Sequence, residues 1–306
     1  MTTVLFALLP IAAILLLGKL VSNTSILSQE GWIGLEKITY FVLFPALIVS
    51  KLAVADFSNV DWRMPFALIA AQLTVSGLSI LVGFALGAPR ERIGVYVQSA
   101  ARWNTFIALA LAQELMGAQG VALVAVAAAG MIPIANIVSV TALMRFSSTD
   151  VKIIELLRKL AVNPLVLACV IGIGLNLSRV PLPSEAMNIL DLLAQATIAL
   201  GLLTTGAAIQ IKGRSAPFVA VGSWSLLRLV GMPLVAGALA VALGISTEIL
   251  LVMLIATAVP TASNGTILAR QLGADANLAA NLIACQTVFA IATITAILWI
   301  AEPFYR

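Results

Sequence analysis

The chain is a succession of apolar runs, most of them about twenty residues long, parted by short breaks that carry charge or Pro and Gly. A helix crossing roughly 30 Å of hydrocarbon needs about 20 such residues, and runs such as 4–17 and 283–300 are apolar on every side. Strands of an outer-membrane barrel would alternate apolar and polar residues over about ten positions, which these runs do not. Composition agrees: 61% of the 306 residues are hydrophobic and 10% charged, against about 25% charged in a soluble domain. The expected fold is therefore an all-α polytopic membrane protein in which the membrane bundle is the whole chain.

Several function classes drop out at this level. The chain has no histidine, which removes imidazole metal sites, Ser-His-Asp and Cys-His nucleophile systems and a histidine proton relay. It also lacks a Gly-x-Ser-x-Gly nucleophile and paired deep aspartates, so an intramembrane hydrolase is not expected. Cys169 and Cys285 each stand inside an apolar run and read as small buried hydrophobes. The net charge of +4 is scattered over loops without a cluster of four to eight basic residues, so no nucleic-acid partner is expected. No cofactor or metal is expected either.

Apolar runs place ten spans near 3–21, 31–54, 64–87, 91–116, 119–144, 152–177, 186–211, 215–243, 246–272 and 276–300. The first nine residues lack the positive region of a cleavable signal, so the first run is read as a span. With the amino terminus outside, one side of the membrane holds Lys19, Lys37, Arg90, Arg92, Arg145, Lys152, Arg158, Lys159, Lys212, Arg214 and Arg270, and the other only Lys51, Arg63, Arg179 and Arg306. Positive-inside bias then puts both termini on the non-cytoplasmic side of a multi-pass cell membrane protein. Weak self-similarity recurs at a spacing near 152–157 residues. Pro10 with Gly18 returns as Pro164 with Gly172, Pro65-Phe66 as Pro217-Phe218, and Leu115 with Gly117 as Leu272 with Gly273. Two repeats of five spans each, 1–145 and 146–306, must insert with opposite topology because five is odd.

Two of the spans contain breaks. In the fourth, 98–105 holds no leucine or valine and includes Arg102, Asn104 and Thr105; in the ninth, 257–266 includes Pro260, Thr261, Asn264 and Gly265. Pro260 removes an amide donor and Asn264-Gly265 favours non-helical backbone, so the ninth helix is expected to unwind near mid-membrane. The fourth lacks proline, and its unwinding is inferred from its partner. Half-helix ends would offer partial charges to an ion or substrate; a proline kink repaired by neighbouring Ser and Thr is the plainer account. Arg102 and Arg228 lie deep in spans four and eight, where an arginine costs about 2.5–3.5 kcal/mol on insertion scales. No Asp or Glu reads as comparably deep, so a bound anion could supply the missing charge, or each guanidinium could take carbonyls at the breaks or snorkel along a water-filled cavity. Asn136 in span five, and Gln286 with Thr287 in span ten, would complete a pocket or make helix-to-helix hydrogen bonds. Gln72, Ser76 and Ser79 read as a polar face packed on span four, and Trp32, Trp62 and Trp299 as interfacial anchors. No deep carboxylate suggests direct proton coupling, and sodium involvement stays open.

In order along the chain, six short segments resemble those of the auxin efflux carrier family, the bacterial and plant PIN-like transporters. They are Phe44-Pro45-Ala46-Leu47, Arg102-Trp103-Asn104-Thr105, Ile132-Pro133-Ile134-Ala135-Asn136, Asn163-Pro164, Gly201-Leu202-Leu203 with Gly206-Ala207, and Pro260-Thr261-Ala262. The resemblance implies the PIN-like fold shared with sodium/bile-acid symporters: two inverted five-helix repeats whose broken helices four and nine cross at the site. It implies an elevator-type secondary transporter, with spans three to five and eight to ten moving against a scaffold of spans one, two, six and seven, commonly as a homodimer. Plant members carry a long hydrophilic central loop that this chain lacks; bacterial relatives point to malate, malonate and similar carboxylates, beside auxin-like acids. The expected partners are the lipid bilayer and a small organic anion bound by Arg102, Asn104, Thr105, Asn136, Pro260, Thr261, Asn264 and Gln286. A sodium-coupled symporter of bile-acid type and a non-transporting membrane receptor are the alternatives, and a channel suits paired broken helices less well.

Overall fold

A computed structural model describes residues 2–55, 61–146, 163–179, 182–210 and 217–305. The described residues are almost all helical, with no strand among them. In chain order the helices are α1 (Thr2–Ser22), α2 (Gln29–Ala53), α3 (Arg63–Ala85), α4 (Arg90–Ala101), α5 (Thr105–Phe146), α6 (Pro164–Ser178), α7 (Ser184–Ala207), α8 (Phe218–Ala242), α9 (Thr247–Ala258), α10 (Gly265–Gln271) and α11 (Ala276–Tyr305). The start of the expected sixth span, and Lys152, Glu155, Arg158, Lys159, Lys212, Arg214 and Arg306, lie outside the described residues.

Seven stretches are long and apolar enough to cross a membrane, by length and composition; α6 and α9 are shorter apolar helices. One of the seven is the 57-residue run Arg90–Phe146. Laid straight at 1.5 Å per residue it would reach about 85 Å, almost three times the hydrocarbon thickness, so it has to fold on itself. It does so at Gly117, whose φ of 62° and ψ of −149° leave the helical region for one that glycine enters without a Cβ penalty. The far part of α5 returns alongside α4, where Ile93, Val97 and Ala142 form a buried cluster. Large apolar side chains such as Phe6, Phe66 and Phe218 stand outward, between 67% and 83% exposed, as a lipid-facing belt requires. The expected polytopic, all-helical membrane fold is what the chain adopts.

Prolines shape two helices from within. Pro45 has no N–H to return to the preceding turn, so the ladder of α2 slips and Thr39–Leu43 winds as a π-turn, Phe44 N–H reaching Thr39 O. Pro233 does the same to α8, where Leu227–Gly231 is a π-turn. The slip rotates what precedes it, and the residues so turned include Glu36, Tyr40 and Arg228.

Packing sorts the helices into two groups. α1 lies on α7, and α2 on α6 and α7; α3, α4, α5, α8, α9, α10 and α11 pack among themselves, and α5 and α11 carry the contacts between groups. Within the second group, Arg63 at the start of α3 donates Nη1 to Leu243 O beyond the end of α8 at 2.8 Å. Trp224 near the start of α8 donates Nε1 to Ser79 Oγ late in α3 at 2.7 Å. Those two ties, one at each end, make α3 and α8 antiparallel.

Candidate functional site

Two interruptions of helix meet inside the second group. α4 ends at Ala101, Arg102 is extended (φ −79°, ψ 153°), and helix resumes at Thr105. α9 ends at Ala258, Val259 is extended, and α10 begins at Gly265. Contacts in strict order set the two broken segments antiparallel: Arg92 Nε lies 3.8 Å from Asp275, Gln98 Nε2 donates to Gly265 O at 3.1 Å, Asn104 N–H to Pro260 O at 2.8 Å, and Gln119 Nε2 to Glu248 Oε1 at 2.7 Å. The fourth-span break, which carries no proline, is the shorter, 102–104 against 259–264; its extended backbone is fastened by the bond to Pro260.

In hydrocarbon every freed amide and carbonyl needs a partner, at several kcal/mol for each left bare. Ala101 O, which loses its helical donor, accepts from Gln72 Nε2 of α3 at 2.8 Å. Thr257 O, in the same predicament, accepts from Arg228 Nη1 of α8 at 2.9 Å. The same 156 residues separate Gln72 from Arg228 and Ala101 from Thr257, so the two side chains perform one task at matched positions. Arg228 thus serves a break carbonyl, as one of its two sequence readings had it, and Gln72 does more than pack. Thr261 N–H donates to Gln286 Oε1 at 2.9 Å, and Asn104 caps α5 by accepting from Ile107 N–H at 3.1 Å while donating Nδ2 to Thr205 Oγ1 of α7 at 3.1 Å. Replacing Gln286 by leucine strands the Thr261 amide. The expected cost is about 1–3 kcal/mol, read as a lower Tm of the purified protein; an unchanged Tm would mean that amide has another donor sink.

A chamber of about 60 Å³ opens at the meeting point, lined by Arg102, Asn104, Thr105, Asn136 and Asn264 together with Tyr40, Phe44, Trp103 and Phe106. It adjoins a vestibule of about 350 Å³ that shares Glu36, Tyr40, Arg102, Asn136 and Asn264 and adds Lys37. Arg102 donates Nη1 to Asn136 Oδ1 at 3.0 Å and Nη2 to Asn264 Oδ1 at 2.7 Å, so it ties α5 to the second break. Its Nε finds no acceptor among the described residues. The start of α5, which bears the partial positive charge of a helix N-terminus, forms part of the same wall.

Of the eight residues singled out from sequence, Arg102, Asn104, Thr105, Asn136 and Asn264 line the chamber. Pro260, Thr261 and Gln286 stand behind it and hold the second break. One expectation needs correction: a carboxylate does lie on the same cavities as Arg102. Glu36 lines both the chamber and the vestibule with Arg102. Beside Lys37 and two turns into its helix it looks like an end charge; the signal that could have found it is Pro45, whose π-turn re-aims this stretch. Trp32, expected at the lipid interface, also lines an internal cavity with Glu36; Trp62 and Trp299 are about half exposed.

The model of the Membrane transport protein family matches residues 147–300, just over half of the chain. The chain belongs to that family. The auxin efflux carrier resemblance carried by the six segments is therefore correct, and the chain is a membrane transport protein in class. The match contains Pro260, Thr261, Asn264 and Gln286, whereas Arg102, Asn104, Thr105 and Asn136 precede it. No curated protein matches the chain at a significant level.

Proposed function

We propose that the protein is a secondary transporter of small organic anions, carboxylates of the malate and malonate kind or auxin-like acids, working by elevator-type alternating access. The observation that carries this reading is Arg102, set between two broken helices in a chamber that water can reach and no carboxylate neutralises by direct contact. Arg102 and Lys37 against Glu36 leave chamber and vestibule with one positive charge in excess, and the aromatic side chains beside Arg102 suit the carbon body of an acid.

The architecture proposed is ten spans in two inverted repeats, 1–145 and 146–306. Antiparallel α3 and α8, antiparallel broken segments, and the matched carbonyl caps Gln72 and Arg228 all support it. The two packing groups correspond to a scaffold of spans one, two, six and seven and a moving domain of spans three to five and eight to ten. Both termini on the non-cytoplasmic side of the cell membrane, and a homodimer joined through the scaffold, complete the reading.

The test is counterflow of radiolabelled malate, malonate and indole acetate in proteoliposomes, paired with thermal shifts of wild type and Asn104→Ala. An acid held here raises the wild-type Tm, and raises that of Asn104→Ala much less, beyond the loss of about 1 kcal/mol that removing a helix cap brings on its own. An acid that stabilises both equally is not bound at the break, and absence of counterflow for all three would refute the anion reading. Uptake that requires sodium would instead favour a symporter of bile-acid type.

A further inference from the structure

The sequence gives no reason to look for a proton-carrying group, yet Glu36 occupies an unusual place. It lies on three cavities at once: the chamber, the vestibule, and a third space of about 290 Å³ bounded by Ser22, Trp32, Thr204, Gln210 and Arg270. Its side chain is half-buried. The third cavity runs between the ends of α1 and α7, on the scaffold side, and α10, on the other. A carboxylate there lies where the two helix groups meet and lines the vestibule that leads to Arg102.

Resting on the anion-transport reading above, we propose that Glu36 is the coupling group of the carrier: it is the counter-charge of Arg102 in the empty state and takes up one proton when a substrate carboxylate binds. The argument is one of charge. Among the described residues Arg102 is the only cation in the chamber wall, Lys37 standing outside it in the vestibule; the empty chamber itself holds Arg102 against Glu36, with a sum near zero. A second carboxylate brought to the guanidinium puts two like charges in one small space of low dielectric, where the repulsion is far stronger than in water. Adding a proton to one of them removes it, and Glu36, which also lines the vestibule and the third cavity, is the group that can be reached. The balance is simple: a proton leaves water on the loading side and bonds to a Glu36 oxygen, the anion enters, and both leave on the other side, where the Glu36 O–H breaks and Arg102 regains its counter-charge.

The charged and titratable groups facing Glu36 are Lys37 and Tyr40 on its own helix, Arg102 at the first break, and Arg270 on α10. α1, α5 and α7 offer only neutral Ser22, Asn136, Thr204 and Gln210. No other described carboxylate lines any of the three cavities, so a proton taken up with the substrate has one acid to reside on.

The experiment uses whichever of malate, malonate or indole acetate exchanges fastest, in proteoliposomes with the membrane potential clamped at zero. One proton carried per anion drives accumulation of about tenfold per pH unit toward the alkaline side. Glu36→Gln, neutral in every state, should lose that accumulation whatever rate of exchange it retains; Glu36→Asp should keep it. A trapped pH dye adds a readout on wild type alone: substrate entry should acidify the lumen, which holds even if Glu36→Gln fails to fold. Accumulation that persists in Glu36→Gln, or a wild type that exchanges the acid without moving protons, overturns the coupling role and leaves the transport reading standing. No exchange of any of the three acids overturns both.

Discussion

Arg102→Met should lower exchange of the cargo acid by about 100-fold, the equivalent of one strong charge-assisted hydrogen bond of about 1.5–3 kcal/mol lost from the bound state. The guanidinium joins Asn136 on α5 to Asn264 in the second break, and both amides line the chamber. Removing it takes away the charge that attracts an anion and also the tie that fixes two other chamber walls. Arg102→Lys separates these effects. A lysine keeps the charge but is a point donor on a flexible stem and cannot span two amides as a planar fork does. Its exchange should therefore fall in between, by about tenfold, with weaker binding rather than loss of binding. Counterflow in proteoliposomes measures both variants, with size-exclusion profiles to show that each is folded. If Arg102→Met exchanged within about twofold of wild type, the guanidinium would be a strut between helices and nothing more.

How much of this could be read from the chain depends on where each constraint resides. The spans were legible because hydrocarbon thickness fixes their length; even the turn between the fourth and fifth is marked by Gly117. The second break was legible too, since Pro260 and Asn264-Gly265 disfavour helix locally, whatever surrounds them. The first break was only half legible. Nothing in 98–105 forbids helix, and Arg102 N–H still bonds to Gln98 O in the helical manner; what holds the backbone open is Asn104 N–H donating to a carbonyl more than 150 residues away in sequence. A bond of that kind has no local signature and shows only through the match between the two breaks.

The same distinction explains the side chains. Arg102 and Asn136 stood out because polar groups are costly in apolar spans. Gln286 and Thr261 stood out for the same reason but serve the backbone, and from sequence a ligand amide and a capping amide look alike. Gln72 was taken for a packing residue because its role depends on a carbonyl freed in a different helix. Glu36 was passed over because a charge next to Lys37 near a helix start is ordinarily at the water. Here the π-turn at Thr39–Leu43 and the neighbouring cavities bring it into the chamber.

Gly206→Leu should produce the largest loss of folded protein of any single change outside the chamber. α1 and α7 touch backbone to backbone: a Cβ on Gly206 would run into Leu15 O, and one on Gly18 into Leu203 O, so each glycine faces the other helix at one crossing. Small residues are what allow membrane helices this near approach, where packing rather than hydrophobic burial holds them together. The obstacle to a side chain is backbone, which cannot rotate aside as a ring can, so the helices must separate. Overpacking of this kind costs about 1–3 kcal/mol or more, which lowers Tm by about 2–10 °C in a chain of this size class. Gly174→Leu, where an added Cβ meets nothing within 4 Å, is the matched control and should leave Tm nearly unchanged. Gly201 shows why the place matters. It also lies on α7, but what its Cβ would strike is the ring of Phe106 on α5, across the boundary between the two helix groups. A ring can turn away, as the proposed elevator motion would require of that surface. If Gly206→Leu and Gly174→Leu melted alike, α1 and α7 would not form the rigid contact a fixed scaffold requires, and the division into moving and stationary groups would lose its basis.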